Sequence, residues 1–178
     1  MSHLISQLTL RVGALVGRFQ PLHNGHIEAV NFALTKVDLL YIVVGSAEKS
    51  HEIRNPFTAG ERMRMIKLAL DDSGIDCHRI MIVPIPDAEA HSVWVSYVDS
   101  YTMNYSVVFT NDPLSARLFS EKGVKVLEVP LLRRGSLSGT EVRNRISNRR
   151  QWRRLVPNAV EDVIMEIDGE ARIRGLSS

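Results

Sequence analysis

Apolar residues along this chain gather in five short runs, at 11–16, 39–44, 79–84, 106–110 and 125–129, and each predicts a buried strand. Between the runs the period changes to three or four. Ile27, Val30 and Leu34 follow the first run, Met65, Ile66, Ala69 and Leu70 the second, and Val93, Tyr97 and Tyr101 the third, each set marking one face of a helix. Residues 58–61, Thr-Ala-Gly-Glu, form a capping box that opens the second of these helices, and Gly74 stands beyond its end. A second box, Ser-Gly-Thr-Glu at 138–141, follows the fifth run. Pro157 then leads Val160, Val163, Ile164 and Ile167 into a closing helix that Gly169 is expected to end.

Alternation of strand and helix implies a parallel sheet with right-handed crossovers. The expected fold is α/β, a doubly wound, Rossmann-like three-layer arrangement of five parallel strands with a C-terminal helical extension. Ligands of such sheets sit at the carboxyl ends of the strands. The loops 17–25, 45–57, 86–90 and 111–113 all fall there.

At 178 residues and 44% hydrophobic, the chain suits one core and a single domain over 1–178. A formal net charge of +2 demands neither nucleic acid nor membrane as partner. Cys77 is the only cysteine, which excludes an internal disulfide and a multi-cysteine metal site and suits a reducing compartment. No apolar run approaches the ~20 residues of a membrane span, and no secretory leader is visible. A cytoplasmic protein is the expectation.

The densest chemistry lies in Gly17-Arg18-Phe19-Gln20-Pro21-Leu22-His23-Asn24-Gly25-His26, which follows the first strand directly. His23 and His26 fall at a helix start, three residues apart, beside unpaired N–H groups and the positive end of a helix dipole. That setting suits phosphate oxygens. Pro21 stiffens the approach, and Gly25 removes a side chain where backbone and ligand would meet. The helix expected after Ser138 offers a second anion-ready start and carries Arg143.

These residues resemble the nucleotidylyltransferase superfamily, whose His-x-Gly-His signature is matched by 23–26. More narrowly, the motifs at 17–26, 45–62 and 138–146, with Trp94 in a helix after Pro86-Asp87, are similar in kind and order to the archaeal-type nicotinamide mononucleotide adenylyltransferases. The resemblance implies joining of ATP to nicotinamide mononucleotide, giving NAD and pyrophosphate, with magnesium assisting. It implies that Gly17, Arg18, Phe19, His23, Gly25 and His26 hold the ATP phosphates, and that Ser138, Thr140 and Arg143 close over them. The resemblance further implies that His23, His26, Arg18 and Arg143 carry the catalysis. Arg54, Asp87 and Trp94 are implied as the mononucleotide contacts, and no protein metal ligands are assigned. The chain departs from its relatives at Asn111-Asp112-Pro113, where many have Gly-Asn-Pro, and at Leu22, where an aromatic is common.

Taken without the resemblance, several of these residues admit a plainer reading. Trp94 sits among Val93, Val95 and Tyr97, where packing competes with ring stacking. Asp87 is placed to cap a following helix, and His51 and Arg54 lie in a polar loop. Other acceptors of the same superfamily, a pantetheine or flavin phosphate, remain open on the His-x-Gly-His signature alone. Eight arginines and no lysine between 133 and 154, with Trp152 among them, raise a separate class, a single-strand RNA platform, although no nucleic-acid module accompanies them. Arginine is also enriched at subunit contacts, so a homo-oligomer is expected.

Overall fold

The computed structural model describes residues 10–130 and 137–177. Five parallel strands, β1 (Val12–Gly17), β2 (Leu39–Val44), β3 (Ile80–Pro84), β4 (Val107–Phe109) and β5 (Lys125–Leu127), pair in the order β3-β2-β1-β4-β5. The register sets Val12 opposite Leu39, Gly13 opposite Val107, Leu40 opposite Ile80 and Val107 opposite Lys125. The chain winds outward from β1 to β3, returns to the other side of β1, and winds outward again. Strand order therefore reverses between β1 and β4, which opens a crevice at their carboxyl ends.

Alternate strand residues feed two cores, as expected of strands buried on both faces. Leu15, Leu40, Ile42, Val107 and Phe109 point to one face, against α1 (Asn24–Leu34) and α2 (Ala59–Asp72). Ala14, Tyr41, Val43 and Val108 point to the other, against α3 (Trp94–Tyr101) and α4 (Pro113–Glu121). The layers are thus helix, sheet, helix. Three further helices, α5 (Gly139–Ser147), α6 (Asn158–Glu166) and α7 (Gly169–Leu176), add Val142, Ile146, Val160, Val163, Ile164 and Ile173 to the first core.

Thr58 caps α2 as its sequence predicts, accepting from the Glu61 N–H at 3.2 Å while the Glu61 carboxylate accepts the Thr58 N–H at 2.9 Å. Asp112 caps α4, with Pro113 in its first turn. Elsewhere the chain differs from its periodicity. The strands expected over 106–110 and 125–129 are shorter, because the Asn111 side-chain amide takes both the N–H and the carbonyl of Val129, each at 3.0 Å, where a ladder would otherwise continue. Val93, Tyr97 and Tyr101 are exposed, and Val95 and Val98 are the residues buried between α3 and the sheet. Gly169 does not simply end a helix: α6 stops at Glu166, Asp168 turns the chain at φ 53°, and Gly169 begins α7. A Cβ there would lie 2.9 Å from the Phe57 ring, so the residue serves close packing.

Candidate active site

The loop after β1 is built on Phe19, which adopts a left-handed φ of 51° and is 2% exposed. Its ring lies under the start of α1, with a centroid separation of 4.6 Å from His26. Gly17 leaves room beside it, since a Cβ at Gly17 would stand 3.1 Å from that ring and press on it. Gln20 pins the same loop from the other side, donating to the Phe57 carbonyl at 2.8 Å and accepting the Phe57 N–H at 3.1 Å.

His23 and His26 stack at 3.7 Å between centroids. The His23 N–H donates to His26 Nδ1 at 3.1 Å, so that nitrogen is an acceptor and the ring proton of neutral His26 resides on Nε2. Burial lowers His23 to about 4, and burial together with the neighbouring His23 holds His26 well below the ordinary imidazole range. Both rings are therefore neutral at physiological pH. Among the described residues His23 Nδ1, which is buried, has no hydrogen-bond partner. Gly25 has a role different from the one its sequence context suggests: an added Cβ would meet the His23 ring at 3.2 Å, so its missing side chain makes room for that imidazole.

The start of α5 closes on this loop. Ser138 caps the helix by accepting the Glu141 N–H at 3.0 Å, and Gly139 lies so near Gln20 that a Cβ would come within 2.8 Å of its carbonyl oxygen. Arg143 donates to that same carbonyl at 2.6 Å and to Thr140 Oγ1 at 3.2 Å. Thr140 and Arg143 join Arg18 and Arg54 around a cavity of about 360 Å³, completed by Ile53, Asn144, Ser147, Ile173 and Ser177. Among the described residues no carboxylate lines it. Burial, then repulsion from Arg18 and Arg54, lowers Arg143 to about 10, which marks three guanidinium groups crowded together with no counter-ion among the described residues. Such a cavity calls for a polyanion.

Asp87 and Trp94 lie elsewhere on the crevice and do not line this cavity. Asp87 accepts Ser46 Oγ at 2.9 Å and Lys49 Nζ at 2.6 Å. Burial opposes its charge, but the hydrogen bonds from Lys49 and Ser46 outweigh that and hold the carboxyl below its usual range. It caps no helix, since Ala90 occupies that position in the next helical turn. Trp94 is half-buried against the second core, and its ring edge lies 3.9 Å from where a Gly45 Cβ would be. The Gly45 N–H in turn bonds the Gly17 carbonyl at 2.9 Å, joining the loops after β1 and β2.

The profile of the cytidylyltransferase-like family matches residues 14–145, which span all of these loops up to Arg143. The chain belongs to the cytidylyltransferase-like family. Among curated relatives, this family member is 45% identical over 166 residues to the nicotinamide-nucleotide adenylyltransferase of Pyrococcus horikoshii, covering 93% of this chain and 89% of that one. It is 48% identical over 163 residues to the enzyme of the same name from Picrophilus torridus, covering 92% and 95%. In fold it is similar to a bifunctional NMN adenylyltransferase/ADP ribose pyrophosphatase from Francisella tularensis, solved with AMP and a manganese ion, at a TM-score of 0.75 and 22% identity. That match covers 94% of this chain and 52% of the longer one.

In this cytidylyltransferase-like chain two arginines of the arginine-rich stretch are held in structural ion pairs. Arg145 pairs with Glu141, and Arg153 with Glu161 and Glu170. Trp152 is 2% exposed and donates to Glu170 at 2.7 Å. It cannot stack on bases, so the RNA platform loses its aromatic. Arg149, Arg150 and Arg154 remain exposed, and Arg133 and Arg134 lie outside the described residues. Asn111 is spent on Val129, and exposed His51 bonds its neighbour Ser50. Among the described residues no group of three or more His, Cys, Asp or Glu is placed to hold a metal ion, and no helix is long and apolar enough to cross a membrane.

Two residues of the site escape sequence reasoning. Gln20 has no pattern to announce its bonds to Phe57, 37 positions away. Arg62 sits on a helix whose periodicity marks its neighbours as core, yet its charged side chain is the largest that is fully buried among the described residues. Its position one turn after a capping box was the available signal.

Proposed function

We propose that this chain transfers the adenylyl group of ATP to the 5′-phosphate of nicotinamide mononucleotide, forming NAD and pyrophosphate. The observation that carries this reading is the cavity where Arg18, Arg54 and Arg143 converge with no carboxylate among the described lining residues; the neutral histidine pair lies outside that lining, at the start of α1, where the loop carrying Arg18 ends. A triphosphate supplies the charge that this cluster lacks. A phosphate oxygen of the mononucleotide attacks the α-phosphorus, the bond from that phosphorus to the bridging oxygen breaks, and pyrophosphate leaves with the electron pair. The acceptor phosphate is already ionised at neutral pH, so the protein needs no nucleophile and no base. Positioning and charge stabilisation suffice.

In this reading His26 offers its Nε2–H to the α-phosphate, His23 supports that ring by stacking, and Arg18, Thr140 and Arg143 hold the leaving phosphates. Gly17, Phe19, Gly25 and Ser138 shape the two loops that carry these donors. Arg54 reaches the same polyanion and steadies the incoming mononucleotide phosphate. Trp94 and Asp87 form the nicotinamide side, with the aromatic face suited to a cationic ring. Magnesium enters as the MgATP substrate. The cavity's donors are guanidinium, hydroxyl and amide groups, so the ion relies on phosphate oxygens and water, as magnesium commonly does.

Residues 1–178 act as one transfer domain in the cytoplasm, where a lone thiol such as Cys77 stays reduced. The exposed row of Tyr97 and Tyr101 on α3, with Val93 just before it, supports self-association into a homo-oligomer, which sedimentation would register.

The test is pyrophosphate release from MgATP with nicotinamide mononucleotide, its acid form, phosphopantetheine or flavin mononucleotide as acceptor. Turnover with nicotinamide mononucleotide, and a KM for it raised about tenfold by Trp94→Ala while the KM for ATP holds, is the expected result. Turnover with only phosphopantetheine or flavin mononucleotide overturns the acceptor, and silence with all four overturns the transfer.

A further inference from the structure

A buried guanidinium is an expensive way to fill a core. Removing such a charge from water carries a large penalty that only complete hydrogen bonding offsets, whereas an apolar side chain of similar volume carries none. Arg62 is 0% exposed, and burial lowers it to about 10, so it remains charged at neutral pH. Among the described residues, every hydrogen bond it makes goes to a main-chain carbonyl, and no carboxylate pairs with it. Nη1 donates to Arg18 at 2.9 Å and to Gly45 at 2.8 Å, Nη2 donates to Ser46 at 3.0 Å, and Nε donates to Thr58 at 3.3 Å.

Those four carbonyls belong to three separate segments: the loop after β1, the loop after β2, and the residue that caps α2. One planar group with a fixed fork of donors therefore sets their mutual distances and angles. Both sides of the crevice hang from it. On one side, the residue whose carbonyl it holds, Arg18, sends its side chain into the polyanion cavity. On the other, Ser46 is held in the left-handed region at φ 49°, a conformation disfavoured for a residue with a side chain, and from there its hydroxyl donates to Asp87.

We propose that Arg62 is a positioning residue for the transfer reaction, fixing the spacing between the phosphate-binding loop after β1 and the Ser46–Asp87 arm after β2. This rests on the adenylyl-transfer reading, in which those two segments serve the two substrates. Arg62 touches neither substrate. Its loss should leave each to bind on its own half-site and spoil their alignment, and a misplacement of about 1 Å costs on the order of 10²-fold in rate.

The experiment compares wild type, Arg62→Lys, Arg62→Gln and, as a destabilised control on the same helix, Leu70→Ala, which removes a fully buried core side chain. Each is assayed about 10 °C below its own thermal midpoint. The expected result is a kcat about 10²-fold lower in Arg62→Lys with the KM for ATP and for the mononucleotide each within about threefold of wild type, while Leu70→Ala keeps kcat despite a lower midpoint. Equal kcat in Arg62→Lys and wild type overturns the proposal, as does a kcat loss that Leu70→Ala shares. Failure of both Arg62 variants to fold assigns the residue to stability alone and also overturns it. An inactive wild type refutes adenylyl transfer itself, a result distinct from an active wild type whose Arg62→Lys variant is equally active.

Discussion

Two imidazoles stacked 3.7 Å apart and mostly withdrawn from water are hydrogen-bond donors at neutral pH, and neither brings a charge of its own. His26→Ala is expected to lower kcat by about 10²- to 10³-fold, the cost of losing one oxyanion donor, with the fold intact by circular dichroism. The same burial predicts an acid sensitivity. Folded His23 titrates at about 4, below the ordinary value near 6.5, so the unfolded chain takes up the proton first as pH falls. Its contribution is therefore complete above about pH 6.5 and is lost progressively down to about 4, by on the order of 3 kcal/mol. Urea unfolding at pH 7 and 4.5 should show that loss in the wild type, and a smaller one in His23→Gln. The positions of these histidines were legible in the sequence because strand, glycine and helix spacing surround them. Their neutrality was not, because it comes from the Phe19 ring and from neighbours that only the fold assembles.

Helix starts carry the next level. Both helix starts were legible, but only Thr58 and Glu61 form the reciprocal box, each side chain accepting the other's backbone N–H. At the second start Ser138 caps alone, and the Glu141 carboxylate pairs with Arg145 instead. What a helix end is pressed against is not local. Gly139 sits where a methyl would come within 2.8 Å of the Gln20 carbonyl, a backbone atom that has to move to admit it. Gly139→Ala is expected to cost about 1–3 kcal/mol and to raise the KM for ATP as α5 backs away from the loop after β1. Gly60→Ala is the companion measurement: a methyl there meets nothing nearer than 4.0 Å, and its thermal midpoint and KM should match or slightly exceed wild type stability. The helix α3 shows the opposite limit. Its existence followed from apolar spacing, but Val93, Tyr97 and Tyr101 were as plausible an inner face as Val95 and Val98, because period alone does not say which of two apolar stripes meets the sheet.

Across the molecule, strand number, direction and winding follow from the alternation of runs and helices, since parallel strands require crossovers and crossovers have one hand. The part of the chain beyond β5 was less legible. Its helices reach back to elements more than a hundred residues earlier: Arg172 of α7 holds both oxygens of Glu61 on α2, at 2.7 and 2.9 Å, and the Pro56 carbonyl at 3.2 Å. In this way Ile173 and Ser177 become part of the cavity wall. Arg172→Ala leaves a half-buried carboxylate short of its partner and should cost about 2 kcal/mol, or roughly 4–8 °C in thermal midpoint, with a raised KM for ATP and little change in the KM for the mononucleotide. Differential scanning calorimetry and initial rates would check the two halves of that expectation.

The cluster of Arg18, Arg54 and Arg143 has a bearing on the direction of travel. Its members hold charge alone, and the histidines beside them neither supply nor retain a proton across the reaction. One phosphoanhydride is exchanged for another, and the same guanidinium groups that steady pyrophosphate as it departs will steady it as it arrives. On the proposed chemistry the protein contains no ratchet. Net synthesis then depends on whatever in its surroundings consumes pyrophosphate, and where that is slow, this crevice will take NAD apart as readily as it puts it together.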